Sequence, residues 1–451
     1  MKKILLVNPW IEDVSAYDFW LKPIGLLYIS SALKKFGIEP ILIDLLDRHD
    51  QELKNYVEKP LKDKYYGTGS FFNEIIKKPE CLRAIPRYFK RYGMPENLFR
   101  KKLSVHKDVD AVFVTSMMTY WHYGVSDTIR VIKEELNEKP VLLGGVYSTL
   151  LEDHAKKFSG ADFVSPGTGM LPLKRALDYI GININVGSLN MNWLEKLEPD
   201  YSHYNEIPYK VLITSTGCPF RCSYCASWRL WDRFIFQSAE KTFDVVERFV
   251  EDGTNNVVFF DDALLVGNRF KEFLKIYLKN KMRIQFHLPN GVHAKYIDEE
   301  LAKLMKEANF KTIKLGYETY NTELQEKTGG KVSNRDLEKA VFNLKEAGFV
   351  SEEISAYIIA NLPGQAIEDT ERAIRKCSDL EIVPNVNEFT PIPKTPQWEG
   401  LIKDGKLPKN VDPLLLNNSI LPYWWDKGLN VDQIKKLKNK ALQVKERLIN
   451  A

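Results

Sequence analysis

The sequence predicts an α/β protein in which two successive series of strands and helices each build a largely parallel sheet. Short apolar strands alternate with amphipathic helices along most of the 451 residues, as is typical of parallel sheets covered by helices. Pairs of glycine or of proline and glycine follow several predicted strands, where the chain turns. The length exceeds that of one ordinary domain, so at least two are expected.

The first series occupies residues 1–175 and predicts a doubly wound, Rossmann-like sheet. Its predicted strands are Lys3–Val7, Glu39–Leu46, Ala111–Met117, Pro140–Leu143 and Asp162–Ser165. Helices are predicted over Pro23–Phe36 and Val125–Leu136. Ligands of such sheets bind at the carboxyl ends of the strands. An insertion at about 48–108 exceeds an ordinary connection, which suggests a functional lid or cover.

The second series follows a predicted linker over residues 176–205, where periodicity is weak. Six repeats of strand then helix occupy 206–398, with strands predicted over 211–215, 256–260, 283–287, 311–316 and 354–360 and a final extended piece near 385–390. This pattern predicts a (β/α)6 partial barrel or a large open sheet. In both cases the site lies at the carboxyl ends of the strands. Residues 399–451 predict a small, mainly helical C-terminal extension.

Composition excludes several classes of protein. The net charge of +4 is weak for this length and by itself argues neither for nor against nucleic acid; we expect no nucleic-acid partner. No run of about 18 apolar residues occurs, and the apolar run after Lys3 is too short for a signal peptide, so we expect no membrane span. Three of five cysteines lie within eight residues, which favours a reducing, cytoplasmic compartment over a disulfide framework. Cys81 and Cys377 are expected to be ordinary unpaired thiols.

The three clustered cysteines, Cys218, Cys222 and Cys225, form a CxxxCxxC motif directly after a predicted strand. Three thiolates at this spacing can ligate three irons of a [4Fe–4S] cluster and leave the fourth iron without a protein ligand. S-adenosylmethionine (SAM) can bind that iron through its amino and carboxylate groups. A structural zinc ion would need a fourth ligand, and the nearest downstream histidine is His287. The motif therefore favours the cluster over zinc.

An aromatic residue, Tyr224, stands immediately before the third cysteine. With it, the motif resembles the signature of the radical SAM superfamily, in which an aromatic residue occupies this position. The resemblance implies that Tyr224 packs beside the adenine of SAM.

Further stretches resemble motifs of the same family, in order along the chain. Asp261 and Asp262 stand where the family often has Gly-Gly-Glu, whose acid contacts the SAM amino group; the resemblance leaves open which carboxylate does so. Asn290 follows Pro289 in a stretch similar to the family's Asn-Gly motif, and Glu318 lies in one similar to its Gly-x-Glu-Ser motif. These residues are the implied SAM site.

The amino-terminal series resembles the B12-binding domain that precedes many radical SAM domains. The resemblance implies that cobalamin contacts Ser116, Met117, Gly144, Gly145 and Gly167. Glycine lacks a Cβ atom, so a flat base can lie against the backbone at 144 and 145; a purely structural turn is the alternative. The chain has no DxHxxG motif after the first strand, so a cobalt-binding histidine of that type is not expected. His122 is better explained as a helix-entry histidine than as a cobalt ligand.

The resemblance implies that a reduced cluster cleaves SAM to a 5′-deoxyadenosyl radical, with an electron donor such as flavodoxin or ferredoxin as a partner. We expect cobalamin-dependent methylation of an unactivated carbon. The alternatives are a cyclase, a rearranging or an oxidative enzyme without methyl transfer, and a non-catalytic redox sensor. A methylthiotransferase is disfavoured because only Cys81 is available for the second cluster that family needs.

The substrate is left open as a small molecule, a lipid, a tetrapyrrole or a peptide, and no catalytic residue beyond the cluster is predicted. Aromatic residues in the insertion, and Tyr423-Trp424-Trp425 in the extension, are candidates to cover it. Ordinary packing explains the same aromatics equally well.

Overall fold

The computed structural model describes residues 1–450 and divides into two compact units. The first unit comprises Met1–Tyr209 and Asn410–Asn417, and the second comprises Lys210–Lys409 and the residues from Asn418 onward. The α/β prediction is confirmed, since each unit contains a parallel sheet with helices between its strands.

The first unit is built on a five-stranded parallel sheet. The strands of this unit are β1 (Lys3–Asn8), β2 (Ile11–Asp13), β3 (Glu39–Asp44), β4 (Asn73–Ile75), β5 (Lys90–Tyr92), β6 (Ala111–Val114), β7 (Val141–Leu143) and β8 (Phe163–Val164). The parallel sheet has the order β3-β1-β6-β7-β8. The strand order changes direction between the neighbouring strands β1 and β6, and such a switch point opens a crevice at the carboxyl ends of the strands.

Helices connect these strands and cover the sheet. They are α1 (Ile24–Lys35), α2 (Gln51–Tyr56), α3 (Glu96–Ser104), α4 (His122–Glu135), α5 (Val146–Leu150), α6 (Glu152–Phe158) and α7 (Met170–Tyr179). Val7, Val114 and Leu143 of the sheet share one buried cluster with Ile129 and Ile132 of α4. Burial of such side chains is the main driving force that fixes helices on a sheet.

The insertion folds as part of the first unit. Strand β2 and the inserted strands β4 and β5 form an antiparallel sheet in the order β2-β5-β4. Ile11, Leu46, Phe71 and Tyr92 form its small buried cluster. The predicted linker also lies inside this unit, where the Ser30 hydroxyl donates to Asp200 at 2.5 Å.

The second unit is built on a six-stranded sheet. The strands of this unit are β9 (Lys210–Leu212), β10 (Ser215–Thr216), β11 (Ile235–Phe236), β12 (Asn256–Phe259), β13 (Gln285–Val292), β14 (Phe310–Glu318), β15 (Ile354–Ala360) and β16 (Val383–Glu388). The six-stranded sheet has the order β16-β15-β14-β13-β12-β9, all parallel, and β10 pairs with β11 separately. Every strand neighbours the next in sequence, as in a partial barrel, whereas doubly wound sheets reverse direction.

Ten helices of the second unit complete the pattern. They are α8 (Ser227–Leu230), α9 (Ala239–Glu251), α10 (Arg269–Lys279), α11 (Glu299–Glu307), α12 (Thr322–Lys327), α13 (Asn334–Glu346), α14 (Ile367–Asp379), α15 (Pro396–Lys403), α16 (Leu421–Trp424) and α17 (Val431–Ile449). Stacked phenylalanines fix the middle of the sheet: Phe286 of β13 lies 5.5 Å from Phe259 of β12 and 5.0 Å from Phe310 of β14, centroid to centroid. Across residues 1–450, no helix combines the length and apolarity that crossing a membrane requires.

Candidate active site

The three clustered cysteines lie on the loop that follows β10. Gly217 precedes this loop with φ +80°, and a Cβ there would lie 3.0 Å from the Arg233 carbonyl oxygen. Only glycine adopts this conformation at so close a contact without strain. The local geometry therefore sets the direction in which Cys218 leaves the strand.

The three thiols are free and differ in exposure. Cys222 is buried, whereas Cys218 and Cys225 are half-buried, and none of them forms a disulfide. Burial raises the pKa of Cys218 to about 11, and burial also raises the pKa of Cys222, although Lys331 opposes that shift. The cofactor-free Cys218 and Cys222 thiols are therefore protonated at neutral pH, and binding iron to them must release protons.

The surroundings of the loop fit a cluster held by these thiols. The Ser223 N–H donates to the Thr328 carbonyl at 3.0 Å, which ties the loop to the segment after α12. In that segment Gly329 has φ +128°, and a Cβ there would lie 3.2 Å from the Cys222 sulfur. A side chain at 329 would occupy space beside a thiol, so the glycine keeps that side of the sulfur open. Three sulfur donors on one loop match the ligand set of a [4Fe–4S] cluster.

Tyr224 and Glu318 lie with Cys222 around one small cavity. Tyr317, Thr319, Gln325 and Lys331 also line it. The structure thus brings together residues that the sequence separates by almost a hundred positions, since Tyr224 follows β10 and Glu318 ends β14. Glu318 is the last residue of β14, and Tyr224 lies on the loop after β10.

Lys331 is a functional candidate that the sequence analysis missed. Its ammonium lies 2.6 Å from Glu318, and both side chains are at least 85% buried. Burial lowers the pKa of Lys331, but the charge and hydrogen bond of Glu318, together with Cys222 and Cys225, outweigh burial, so the net shift is upward and the lysine stays charged. The only signal in the sequence is its position directly after Gly329-Gly330, a pair that admits close approach of the backbone.

The two adjacent acids have different environments. The Asp261 carboxylate is buried and accepts hydrogen bonds from the Thr214 N–H at 2.9 Å, the Thr214 hydroxyl at 2.8 Å and the Ser215 hydroxyl at 2.6 Å. For Asp262, burial is the largest influence and raises the pKa to about 6, although a hydrogen bond with Ser227 opposes that shift. Asp261 therefore joins β12 to the segment after β9, and Asp262 is the carboxylate whose charge the protein itself satisfies least.

Two further residues stand at the same strand ends. The Asn290 amide donates to the Phe260 carbonyl at 2.9 Å, which holds the turn after β12. His293, which the sequence analysis did not select, has its Nε2 4.0 Å from the Cys218 sulfur. Burial, helped by Lys331 and Lys295, lowers the pKa of His293 to about 3, so this ring is neutral beside the thiol.

The residues predicted to bind cobalamin converge at the carboxyl edge of the first sheet. The Ser116 hydroxyl donates to the Gly144 carbonyl at 2.7 Å and accepts from the Tyr147 N–H at 3.2 Å. The Thr149 hydroxyl donates to the Gly145 carbonyl at 2.7 Å and accepts from the Gly167 N–H at 2.9 Å. These bonds hold the loops after β6, β7 and β8 together, and half-buried Met117 follows Ser116 in the first of them.

The glycine pair at this edge contains two different positions. Gly145 has φ +93°, and a Cβ there would lie 2.4 Å from the Ser116 carbonyl oxygen, so the fold itself requires glycine. At Gly144 a Cβ would meet nothing closer than the Ser165 carbonyl oxygen at 3.9 Å. The open space beside residue 144 suits a flat group lying against the backbone, and the residues present therefore fit a cobalamin base.

His122 is the first residue of α4, and its Nε2 lies 3.0 Å from the Asp412 carboxylate. The Tyr123 hydroxyl donates to the other Asp412 oxygen at 3.0 Å. Burial raises the pKa of Asp412, but the hydrogen bond and charge of His122, together with hydrogen bonds from the Leu414 N–H and the Tyr123 hydroxyl, outweigh burial and lower that pKa to about 2. His122 therefore ties residues 410–417 to the helix entry within the first unit.

Comparison with known proteins identifies one domain of the chain. Residues 212–377 match the model of the radical SAM superfamily. The chain contains a radical SAM domain. The match begins at the end of β9 and includes all three clustered cysteines. This domain implies a radical SAM enzyme that uses a [4Fe–4S] cluster and SAM.

Sequence similarity to known proteins extends beyond the matched domain. An uncharacterized methyltransferase of Pyrococcus horikoshii is 23% identical over 364 residues, which are 74% of both chains. The anaerobic magnesium-protoporphyrin IX monomethyl ester cyclase of Rubrivivax gelatinosus is 23% identical over 345 residues, 68% of this chain and 61% of the cyclase. The chain thus spans less than two thirds of the cyclase.

A solved structure shares the fold over most of the chain. The radical S-adenosylmethionine methyltransferase TsrM from Kitasatospora setae, determined with cobalamin and a [4Fe–4S] cluster bound, superposes with a TM-score of 0.64 at 16% identity. The match covers 90% of this chain and 78% of TsrM. At this identity the likeness shows a shared fold.

Proposed function

We propose that this radical SAM enzyme methylates an unactivated carbon and depends on cobalamin. The observation that carries the proposal is the open space beside Gly144, at the converging strand ends of the first unit, in a chain that also places three free thiols at the strand ends of the second. The fold shared with TsrM across both units, and the methyltransferase relative, support the same function.

The protein groups of the second unit would hold the cluster and SAM. Cys218, Cys222 and Cys225 would bind three irons, and Tyr224 with Glu318 would line the space beside them. When bound, these cofactors supply a 5′-deoxyadenosyl radical that removes a hydrogen atom from carbon, and cobalamin supplies the methyl group. The role of the protein is to position the reactants and to exclude water.

Of the two acids after β12, Asp262 would contact the SAM amino group. The Asp261 carboxylate already accepts three hydrogen bonds from Thr214 and Ser215. Asp262 is buried enough to raise its pKa, and hydrogen bonds from the N–H groups of an iron-bound amine would stabilise its charged form. Asn290 would act through the backbone, because its amide nitrogen holds the turn that carries both acids.

In the first unit, Ser116, Met117, Gly144, Gly145 and Gly167 would form the wall against cobalamin. Ser116 and Gly145 would shape this wall through their mutual contact, whereas Gly144 would face the base directly. No histidine from a DxHxxG motif is present to approach cobalt, and the Nε2 of His122 is already bonded to Asp412.

A cyclase or oxidative radical SAM reaction without methyl transfer is the second candidate. It is favoured by the named cyclase relative, which matches 68% of this chain. Both candidates share SAM cleavage, so the discriminating result is the fate of the methyl group of SAM.

The experiment is anoxic purification and reconstitution, followed by quantification of iron, sulfide and cobalt. We expect about four irons, four sulfides and one corrinoid per chain, and release of 5′-deoxyadenosine when SAM and dithionite are added. Replacing Cys218, Cys222 and Cys225 by alanine should abolish both iron and 5′-deoxyadenosine. The matched control replaces Cys81 and Cys377 by alanine and should keep both.

Two outcomes would contradict the proposal. Binding of a lone zinc ion by the three thiols would exclude the cluster. An intact cluster without corrinoid, after purification with cobalamin supplied, would exclude cobalamin-dependent methylation and leave the cyclase or oxidative candidate. Incubation with SAM labelled in its methyl group then shows whether the label reaches the substrate.

A further inference from the structure

Exposed cations surround the loop that carries the clustered cysteines. The group consists of Arg221, Arg229, Arg233, Lys295 and Lys394, all exposed, and we call it the basic collar. Two exposed carboxylates, Asp232 and Glu399, lie near these residues, and Glu399 is 4.0 Å from Arg229. The five cations outnumber these two acids, so the collar gives the rim of the cluster loop a positive potential.

An aromatic side chain connects the collar to a cluster cysteine. The Trp228 indole N–H donates to the Cys222 carbonyl at 3.4 Å. Two arginines of the collar contact the same indole. The guanidinium carbon of Arg229 lies 4.2 Å from the Trp228 ring centroid, and that of Arg221 lies 5.8 Å from it. The Arg229 Nε also donates to the Lys394 carbonyl at 3.2 Å. These contacts hold the cations in place around one ring.

A second chain of contacts runs from the collar to Cys218. The Lys295 ammonium lies 4.1 Å from the centroid of Phe220. Phe220 stacks on His293 at 4.8 Å, and the His293 Nε2 lies 4.0 Å from the Cys218 sulfur. Two packed aromatic routes therefore lead from exposed cations to the Cys222 backbone carbonyl and to the Cys218 sulfur.

We propose that the basic collar is the docking surface for a small acidic electron-carrier protein. The inference rests on the proposed function, because cleaving SAM requires one electron delivered to the cluster. The reduced carrier would give up one electron and leave oxidised by one electron, and the cluster would be reduced by one. An acidic protein face is complementary to the collar, and such complementarity speeds association.

The composition of the collar also fits a protein partner. Arginine and tryptophan are enriched where interfaces bind most strongly, and Arg221, Trp228 and Arg229 already pack together. An anionic small molecule would need a concave site with convergent donors, whereas these cations are all exposed. The short packed distance from Trp228 to Cys222 places an arriving carrier close to the cluster loop.

The test compares the rate of cluster reduction by two reductants in stopped flow under anoxia. The first reductant is flavodoxin hydroquinone, an acidic one-electron protein donor, which is used at low ionic strength and at 0.5 M salt. The second is dithionite, which is used at 0.5 M salt. The collar variant is Arg221→Glu/Arg229→Glu/Lys394→Glu. The matched control, Lys435→Glu/Lys436→Glu/Lys445→Glu, reverses three exposed charges on α17.

We expect the collar variant to lower the second-order rate constant with flavodoxin at least about tenfold at low ionic strength. The difference should shrink at 0.5 M salt, where charges are screened beyond a few ångströms. The control variant should stay within about twofold of the unmodified enzyme, and dithionite should reduce all three proteins alike. Equal flavodoxin rates for the collar variant and the unmodified enzyme would overturn the docking proposal.

Two further readouts separate the docking proposal from the proposed function. Iron and sulfide content, and 5′-deoxyadenosine formed with dithionite, test the proposed function without the carrier. If the charge-reversed protein loses iron, the neutral variant Arg221→Gln/Arg229→Gln/Lys394→Gln replaces it and should show a smaller decrease of the same kind. Failure of the unmodified enzyme to bind a cluster would overturn the proposed function itself.

Discussion

The Lys331 ammonium and the Glu318 carboxylate form an ion pair at 2.6 Å on the wall of the cavity that Cys222 and Tyr224 also line. Glu318 adopts φ +69° at the end of β14, a left-handed conformation that is unusual for a residue with a side chain. The Lys331 ammonium and the carboxylate of the strained residue Glu318 are thus held together beside the cluster loop. Strain of this kind persists only where the surroundings enforce it.

Removing one partner of this pair should cost more than removing both. Lys331→Met leaves the Glu318 charge buried without compensation, so we expect a loss of about 3 kcal/mol in the free energy of unfolding. The double variant Lys331→Met/Glu318→Gln should recover much of that loss, because no unpaired charge remains. Urea unfolding of the cofactor-free protein, followed by tryptophan fluorescence, measures both.

The control for this prediction is an exposed ion pair in the same segment. Lys327 and Glu323 pair across one turn of α12 with side chains 67% and 72% exposed. Lys327→Met should leave the urea midpoint unchanged, since exposed pairs contribute little. Equal effects of the two lysine substitutions would show that the buried pair has no special role.

The two acids after β12 should respond differently to neutralisation. Asp262→Asn removes the charged acceptor proposed to face the SAM amino group, so we expect about tenfold weaker SAM binding with little change in stability. Asp261→Asn breaks hydrogen bonds to a buried carboxylate, so we expect a loss of about 2 kcal/mol in stability. Calorimetric titration of reconstituted protein with SAM, beside thermal unfolding, separates the two effects.

The affinity for SAM should also depend on pH through Asp262. Its pKa is raised to about 6 by burial, so its carboxyl is ionised above pH 6 and protonated below. Through this group, affinity should change little from pH 7 to 8 and fall below pH 6, levelling off about tenfold lower, which is the loss expected for Asp262→Asn. In Asp262→Asn this dependence should disappear; an unchanged profile in that variant would assign the contact to another group.

Acid should destabilise the second unit through His287. Its Nε2 lies 3.1 Å from the Asn256 amide oxygen and its Nδ1 3.1 Å from the Thr312 hydroxyl, and burial lowers the pKa of His287 to about 3. Below pH 6.5 the unfolded chain takes up a proton that the folded state does not, so stability falls as pH falls. From pH 7 to pH 5 the loss should be about 2 kcal/mol.

Urea titrations of the unmodified protein and His287→Gln at these two pH values test this assignment. Glutamine keeps one donor and one acceptor but does not titrate, so the variant should lack the 2 kcal/mol decrease assigned above to the histidine. A decrease of the same size in both proteins would place the acid sensitivity elsewhere.

Gly144 and Gly145 of the first unit should respond differently to substitution by alanine. Gly145→Ala should destabilise the protein by more than about 2 kcal/mol, because the new Cβ would lie 2.4 Å from the Ser116 carbonyl oxygen at a positive φ. Gly144→Ala has space for its Cβ and should fold normally. If the cobalamin base lies against residue 144, Gly144→Ala should nevertheless retain at least about tenfold less corrinoid after gel filtration.

Much of the fold follows from pattern alone. All six predicted strands of the second series appear within a few residues of their expected positions as β9 and β12–β16, because buried parallel strands form continuous apolar runs. The short strands β2, β4 and β5 were not predicted, since three-residue antiparallel strands leave almost no periodic signal. The choice between a partial barrel and a large open sheet depended on the strand order, which sequence periodicity does not contain.

The same division applies to the candidate site. The sequence by itself determined the cluster motif at Cys218, Cys222 and Cys225, because their spacing and the aromatic Tyr224 are local features of one loop. Only the tertiary structure decided that the Asp261 carboxylate accepts hydrogen bonds from Thr214 and Ser215, and that Lys331 forms an ion pair with Glu318. Burial and pairing depend on which distant segments meet at the strand ends, and a linear pattern does not record that meeting.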